Sequence, residues 1–375
     1  MRVVVFQTIS GRIVADLPFT GVPQWSFGLS ARGTWAVDVP TAGIEKSLLS
    51  NLLYGYLWSI AICYGNEVLQ AGPIISADFR DDGSNVVTLG GAGLWAIYDA
   101  RVTINSGWVA GQSIAAPAAD LGMGPQALHT LAKYLVTNDY ARPGHVVPVT
   151  WPDDIAGPDV RNYTGYDLAP VGQRLDELTK VEGGPDVEFR PRWSDNTQTQ
   201  IYWEMRIGNP QLGNLGAPHA WDYGRGLTQL GVGIDASNLE TTHFTRGGGT
   251  DRASLFGYAA STELTSVGFP ALERVDGDHT SASTQSVLDS WASAHLATYG
   301  QQVSIKTATV RMDGTDGSQA TGSPSIDLLS AGDTGVFNVM KHSILMRGQY
   351  PVRVMGVSQG PDIHTAVLTV QDATS

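Results

Sequence analysis

The chain has a single cysteine, Cys63, among 375 residues. One thiol excludes an intramolecular disulfide framework and a zinc site built from several thiolates. Its apolar surroundings (SIAICY) point to a buried structural thiol and away from a nucleophile. Charge is also scarce, at 16% Asp, Glu, Lys and Arg, and basic charge scarcer still, with 23 Lys and Arg against 36 Asp and Glu and a net charge of −13. That balance argues against a tight, salt-dependent grip on a nucleic-acid backbone. No window approaches the roughly 18 consecutive apolar residues that a membrane-spanning helix needs. The opening MRVVVFQTISGRIVADL lacks the long apolar stretch and small-residue cleavage site of a secretory leader, so a soluble protein made in the cytoplasm is expected.

What is abundant is glycine, with 44 residues, alongside 10 Trp and 13 Tyr. Frequent turns between aromatic-rich segments are the texture of β structure, and the chain is too apolar for disorder. Its length allows two or three domains at about 100–200 residues each.

Three regions differ in character. Residues 1–105 predict short strands at 2–9, 12–17, 24–30 and 34–39, a short helix near 44–53, and a meander of strands at 57–64, 67–75 and 85–89. Residues 106–240 are mixed. Helices are predicted over 125–136, where Leu128, Leu131 and Leu135 share a face, and over 170–181, where Val171, Leu175 and Leu178 do, with Gly183-Gly184 as the stop. A hairpin of 187–193 and 199–207 then flanks SDNTQ. Residues 241–375 predict strands at 243–246, 254–261, 303–311, 335–339, 341–346, 350–357 and 364–371, and a long helix over 284–299 whose Val287, Leu288, Trp291, His295 and Leu296 gather on one side.

Within VTLGGAGLWAIYDAR (87–101), Gly91, Gly93 and Ala96 form a G-x-G-x-x-A pattern between a strand and a helix. A dinucleotide cradle would also need a strand–helix–strand crossover and an acidic residue about 20 positions on. The stretch 103–119 contains no Asp or Glu, and the preceding strands read as a meander, so the glycines are expected to be structural and no nucleotide cofactor is expected.

Other catalytic patterns fail on similar grounds. The eight histidines show no His-Glu-x-x-His pairing, so no metal ligand set is read from the sequence. Asp278-His279 precedes a helix in a polar run suited to capping. Asp81-Asp82 and Asp153-Asp154 could serve a glycoside hydrolase as paired carboxylates, yet both sit in turn-like contexts. Arg246 with Gly247, Gly248 and Gly249 lacks the Lys-Ser or Lys-Thr of a phosphate loop. The expectation is a protein that is not an enzyme, with no catalytic, metal or cofactor residues.

Several segments in order carry a family resemblance: ISGRIVADLPFTGVPQWSFGLSARGTWAVDVP, VLQAGPI, YDLAPVGQRLDELTKVEGGPDVEFRPRW, SLFGYAASTELTSVGFPALERVDGDHTSASTQSVLDSWASAHL and SIDLLSAGDTGVF. Together they resemble the minor tail proteins that form the tail-tip (baseplate) hub of long-tailed bacteriophages infecting actinobacteria. The resemblance implies a mainly β fold with an α+β insertion: two tube-like β-barrel domains, at 1–105 and 241–375, around an intervening mixed domain at 106–240 whose last strands would complete the first barrel. It also implies a homotrimeric ring whose paired barrels match hexameric tail rings. Its partners would be the distal tail protein, the tape measure protein and a central spike or fibre, and genome DNA would pass through the lumen without specific binding. The long loop 209–228 belongs to no recognised pattern. A carbohydrate-active or sugar-binding tail-tip protein is the alternative, with Trp and Tyr as stacking platforms. Aromatic placement separates the two, since ring-protein aromatics belong in cores and interfaces and sugar platforms in one exposed groove. On the ring reading, Trp291 should pack into the second barrel and acidic side chains should line the bore.

Overall fold

The computed structural model describes all residues except 80–84, 215–217, 235, 278, 280, 281, 283, 301–303, 316–322, 374 and 375. The first strands are β1 (Arg2–Gln7), β2 (Ile13–Leu17), β3 (Thr20–Gly28) and β4 (Thr34–Pro40), followed by α1 (Lys46–Leu52), β5 (Trp58–Tyr64), β6 (Glu67–Phe79) and β7 (Val86–Ala92). They pair antiparallel in the order β2-β1-β5-β6-β7-β4-β3. The long β6 changes partner along its length: residues 67–73 pair with β5 and residues 74–79 with β7.

Two kinds of strand sequence are present, for one physical reason. In β4, Trp35, Val37 and Val39 are buried while Thr34 and Asp38 are exposed, the alternation of a sheet wetted on one face. In β1 the run Val3–Phe6 is buried throughout, because the strand is covered on both faces. Val3 and Val5 join a core with Ile60, Ile62 and Leu69. Val4 and Phe6 join a second core with Ala61, Cys63 and Val68.

That second core is completed by the middle of the chain: α2 (Trp95–Asp99), β8 (Leu121–Gln126), α3 (Leu128–Tyr140), β9 (Val149–Thr150), β10 (Asp159–Tyr163), α4 (Val171–Thr179), β11 (Val187–Trp193) and β12 (Ile201–Ile207). Leu131 and Leu135 of α3 and Val171, Leu175 and Leu178 of α4 are buried in it, on the helix faces that the spacing predicts. The first helix starts later than expected because residues 121–126 pair with β10. β11 and β12 form the expected hairpin, and Trp203 of β12 lies against Phe6 and donates its indole N–H to the Ala71 carbonyl at 3.2 Å.

The remaining elements are β13 (His219–Asp222), β14 (Leu227–Ile234), β15 (Thr242–Arg246), β16 (Phe256–Ala260), α5 (Glu263–Ser266), β17 (Glu273–Asp276), α6 (Gln285–Tyr299), β18 (Ser304–Arg311), β19 (Thr334–Val339), β20 (Gly348–Gln359) and β21 (Thr365–Asp372). β14-β18-β21-β20 form an antiparallel run, β19 pairs with β20, and β13 runs parallel to β19. β20 then pairs with β3 through Gly356–Gly28, Val357–Phe27 and Ser358–Ser26, which merges both ends of the chain into one 13-stranded sheet. The first core cluster runs through this junction, with Trp25 and Phe27 sharing it with Val357, Leu368 and Phe337.

The structure departs from the expected architecture in several places. No closed barrel forms among the described residues: β3 gives its second edge to β20 and makes no ladder with β2, and β13 and β14 are joined by a turn whose one bridge is Tyr223 to Leu227. β13 and β14, late in the middle segment, pair with β19 and β18 and with no strand of residues 1–105. Residues 242–276 enter neither half of the large sheet; β15, β16 and β17 make a separate three-stranded sheet covered by α6. The strand expected at 341–346 is absent, because the His342 ring donates from Nε2 to the Leu230 carbonyl at 2.9 Å. Its Nδ1 accepts the Ile344 and Leu345 N–H groups at 3.2 and 3.1 Å, curling the segment into a bend. No helix among the described residues is long and apolar enough to cross a membrane.

Candidate functional site

The glycine pattern at 91–96 is a packing device. Gly91 is the next-to-last residue of β7 within an antiparallel meander, and α2 is only 5 residues long, so these elements make no crossover to cradle a pyrophosphate. A Cβ on Gly91 would overlap the Trp35 ring and the Pro73 carbonyl, and one on Gly93 would come within 2.5 Å of the Arg32 carbonyl oxygen. Close approach is therefore what these positions require. Asp99 is engaged by Arg32 in a two-pronged pair at 2.6 and 2.9 Å.

Other sequence candidates disperse. Asp154 accepts from Lys133 at 2.7 Å and from the Tyr134 hydroxyl at 3.1 Å, while its neighbour Asp153 is exposed. The Gly247 and Gly248 N–H groups donate to the Leu255 and Ala282 carbonyls, so neither is free to hold an anion beside Arg246. Asp81-Asp82 and Asp278 lie outside the described residues. His279 pairs with Asp276 at 2.9 Å and stacks on Trp291 with ring centroids 3.8 Å apart. Trp291 is half-buried, and α6 buries only Leu288 and Ala292, so Trp291 stands in the wall of a cleft and not in a barrel core. Within the loop 209–228, Asn214 donates its N–H to Asp333 and exchanges hydrogen bonds with Thr334, and His219 Nε2 meets Asp333 at 3.1 Å, fastening both residues to the start of β19.

The structure does gather titratable groups in one place, a cleft of about 460 Å³ between α4, β17 and α6. Glu240, His243 and His295 lie at its inner end. Glu240 precedes β15 and its N–H donates to the Tyr299 carbonyl at 3.2 Å, at the end of α6. His243 takes an inward position on β15, and His295 projects from α6 on the side of Leu288 and Ala292. His243 Nδ1 lies 2.9 Å from Glu240 Oε2, and His295 Nδ1 lies 3.8 Å from Glu240 Oε1. The two imidazoles stack with centroids 4.2 Å apart. Glu240 and His243 are only 1% and 2% exposed, whereas His295 is about a third exposed. Burial, and then the adjacent His243, lower the pKa of His295, which favours its neutral form. Glu240 Oε1, His243 Nε2 and His295 Nδ1 find no hydrogen-bond partner among the described residues. Sequence reading missed the trio because His295 is about 50 residues from the Glu240–His243 pair; the available signals were that close pair and His295 falling on the apolar side of its helix.

Aromatic placement is also informative. Trp25, Trp35, Trp95, Trp203 and Trp221 are buried, and the other five tryptophans are half-buried. The exposed tyrosines, Tyr54, Tyr56, Tyr166 and Tyr258, are divided among three separate parts of the fold, which is not the arrangement of a sugar-stacking groove.

No protein-family model matches the chain, and no curated protein matches it. Solved structures do. The chain is similar to the tail protein from Neisseria meningitidis MC58, with a TM-score of 0.58, 12% identity, and coverage of 99% of this chain and 95% of that one. It is similar to the 43 kDa tail protein of prophage MuSo2 from Shewanella oneidensis, with a TM-score of 0.58, 11% identity, and coverage of 99% and 98%. A third is the prophage tail protein gp18 from Listeria monocytogenes EGD-e, with a TM-score of 0.52, 11% identity, and coverage of 100% and 95%. The chain therefore has, over nearly its whole length, the fold of phage and prophage tail proteins, mainly β with antiparallel sheets.

Proposed function

We propose that the chain is a structural protein of the tail tip of a long-tailed, siphovirus-like phage of actinobacteria, assembling as a homotrimeric hub ring. The observation that carries this reading is the continuous sheet. Through the β20–β3 junction, one face runs from Gln229, Thr307 and Thr369 across Ser358, Ser26 and Gln24 to Thr34, Asp38, Thr88, Ser76 and Asp78. These side chains are small or polar and the charges among them are carboxylates; Arg311, on the same side of β18 as Thr307 and Thr309, is paired with Asp313 at 2.9 Å. Their strand neighbours on the opposite face, such as Trp25, Trp35, Leu89 and Leu368, are buried. A wall of this composition suits a bore through which DNA moves without being held, because carboxylates repel phosphates and no salt bridges have to break in transit.

In this proposal the units drawn from residues 1–105 and 241–375, the latter with β13 and β14 added, supply two similar sectors per copy. Three copies then present six sectors to hexameric tail rings, with 106–240 as the intervening unit. The outer surfaces meet the distal tail protein, the tape measure protein and a central fibre or spike. The protein is made in the host cytoplasm and works in the virion as a non-enzymatic component. The placement of the tryptophans and exposed tyrosines weighs against the carbohydrate-active alternative.

Light scattering on the purified chain, together with electron microscopy of assembled tails, tests the reading. A threefold ring with a neutral or acidic bore is expected. A tail in which this chain has no threefold partner, or a ring with a basic bore, overturns it.

A further inference from the structure

We propose that Glu240, His243 and His295 form a binding site for one divalent transition-metal ion of the Zn2+ class, clasping α6 to β15. Glu240 and His243 stand three residues apart at the start of β15 and His295 comes from α6, and one donor atom of each lies within 4.8 Å of one donor atom of each of the others. Donors around a tetrahedral ion stand roughly 3.3–3.5 Å apart, given bonds of about 2.0–2.2 Å. Binding therefore requires a modest convergence, for which His295, the most exposed of the three, has room.

The unpaired atoms set this trio apart from an ordinary buried hydrogen-bonded cluster. Glu240 Oε2 lies 2.9 Å from Nδ1 of His243, while Oε1 of the same carboxylate is unpaired, and so is Nδ1 of His295. Burying polar atoms without partners is costly, and a cation held by Glu240, by His295 Nδ1 and, in place of its hydrogen bond, by His243 Nδ1 would satisfy both at once. Two imidazoles among three donors favour Zn2+, Co2+ or Ni2+ over the oxygen-seeking Ca2+ and Mg2+. Three protein ligands leave a fourth position for water from the cleft.

The test is calorimetric titration of the full chain, purified with chelator, using Zn2+, with Ca2+ and Mg2+ in parallel and melting followed in each case. One Zn2+ per chain and a raised melting temperature are expected, with no comparable response to Ca2+ or Mg2+. His295→Ala should weaken Zn2+ binding by at least the roughly 10–100-fold that loss of an outer contact alone causes. Glu240→Gln should weaken it too, while His364→Ala, remote from the cleft, should leave it unchanged. Circular dichroism establishes that each variant is folded. Should one of the cleft variants fail to fold, the other decides the question, with stoichiometry of the unmodified chain as a separate readout. Absence of Zn2+ binding to the unmodified chain, or binding undiminished in the folded cleft variants, overturns the proposal.

Discussion

The large sheet and the lobe of residues 236–299 are stabilised in different ways. In the sheet, β1 and β5 are buried on both faces, and Trp25, Trp35, Trp221 and Phe337 fill the core between its two halves. In the lobe, the 15-residue α6 buries only Leu288 and Ala292, α5 buries nothing, and β17 is largely exposed. The lobe depends instead on close backbone contact, since a Cβ on Gly257 would strike the Leu288 backbone, and on polar contacts between β15 and α6. Apolar burial holds the sheet and responds little to specific ions or to single polar changes at the surface. The lobe, with few buried apolar groups, is the part whose stability should respond to ions and to single polar changes.

The sharpest way to break this contrast is Trp203→Ala. The ring is fully buried between the hairpin β11–β12 and β1, so truncation should lower global stability by about 3–5 kcal/mol, measured by denaturant unfolding. Trp291→Ala should cost much less, about 0.5–1.5 kcal/mol, the scale of a ring-stacking contact, because its main partner is the His279 ring in an open cleft. Hydrogen exchange should show the loss confined to residues 236–299. A loss spread over β1 to β7 would mean that lobe and sheet unfold as one unit.

The smallest expected effect concerns Cys63, which sits on β5 between sheet and helices. Burial pushes its thiol from the ordinary 9.0 up to about 12. The folded state therefore holds the proton more tightly than the unfolded chain. Its contribution is intact below pH 9 and declines as pH rises from 9.0 towards about 12. A thiol reagent at pH 8 should label the chain only at the rate of unfolding; rapid labelling of folded protein would place Cys63 in a more open setting.

Much of the fold was readable locally. The strands of residues 1–105, the apolar faces of α3 and α4, the hairpin β11–β12 and the final hairpin β20–β21 all follow from side-chain periodicity, which acts within a few residues. The glycines at 91 and 93 were recognisably structural because the motif's crossover and acidic residue were missing. Asp154 of the Asp153-Asp154 pair is tied to Lys133 and Tyr134, and His279 takes Asp276 as a partner, contacts that adjacency in the sequence does not show.

What the sequence by itself determined is therefore the set of strands and helices, their buried faces, and the exclusion of disulfide, nucleotide-cradle and helical membrane-spanning designs. Those properties depend on composition and on local spacing. Tertiary structure alone decided which strands share an edge: that β3 pairs with β20 and not with β2, that β13 and β14 join the C-terminal strands, and that 242–299 stands apart. Backbone N–H and C=O groups are the same in every strand, so edge pairing carries no local signature and is chosen by how whole faces bury together. The meeting of Glu240, His243 and His295 is a product of the same choice, since only the packing of α6 on β15 brings the three side chains to one point.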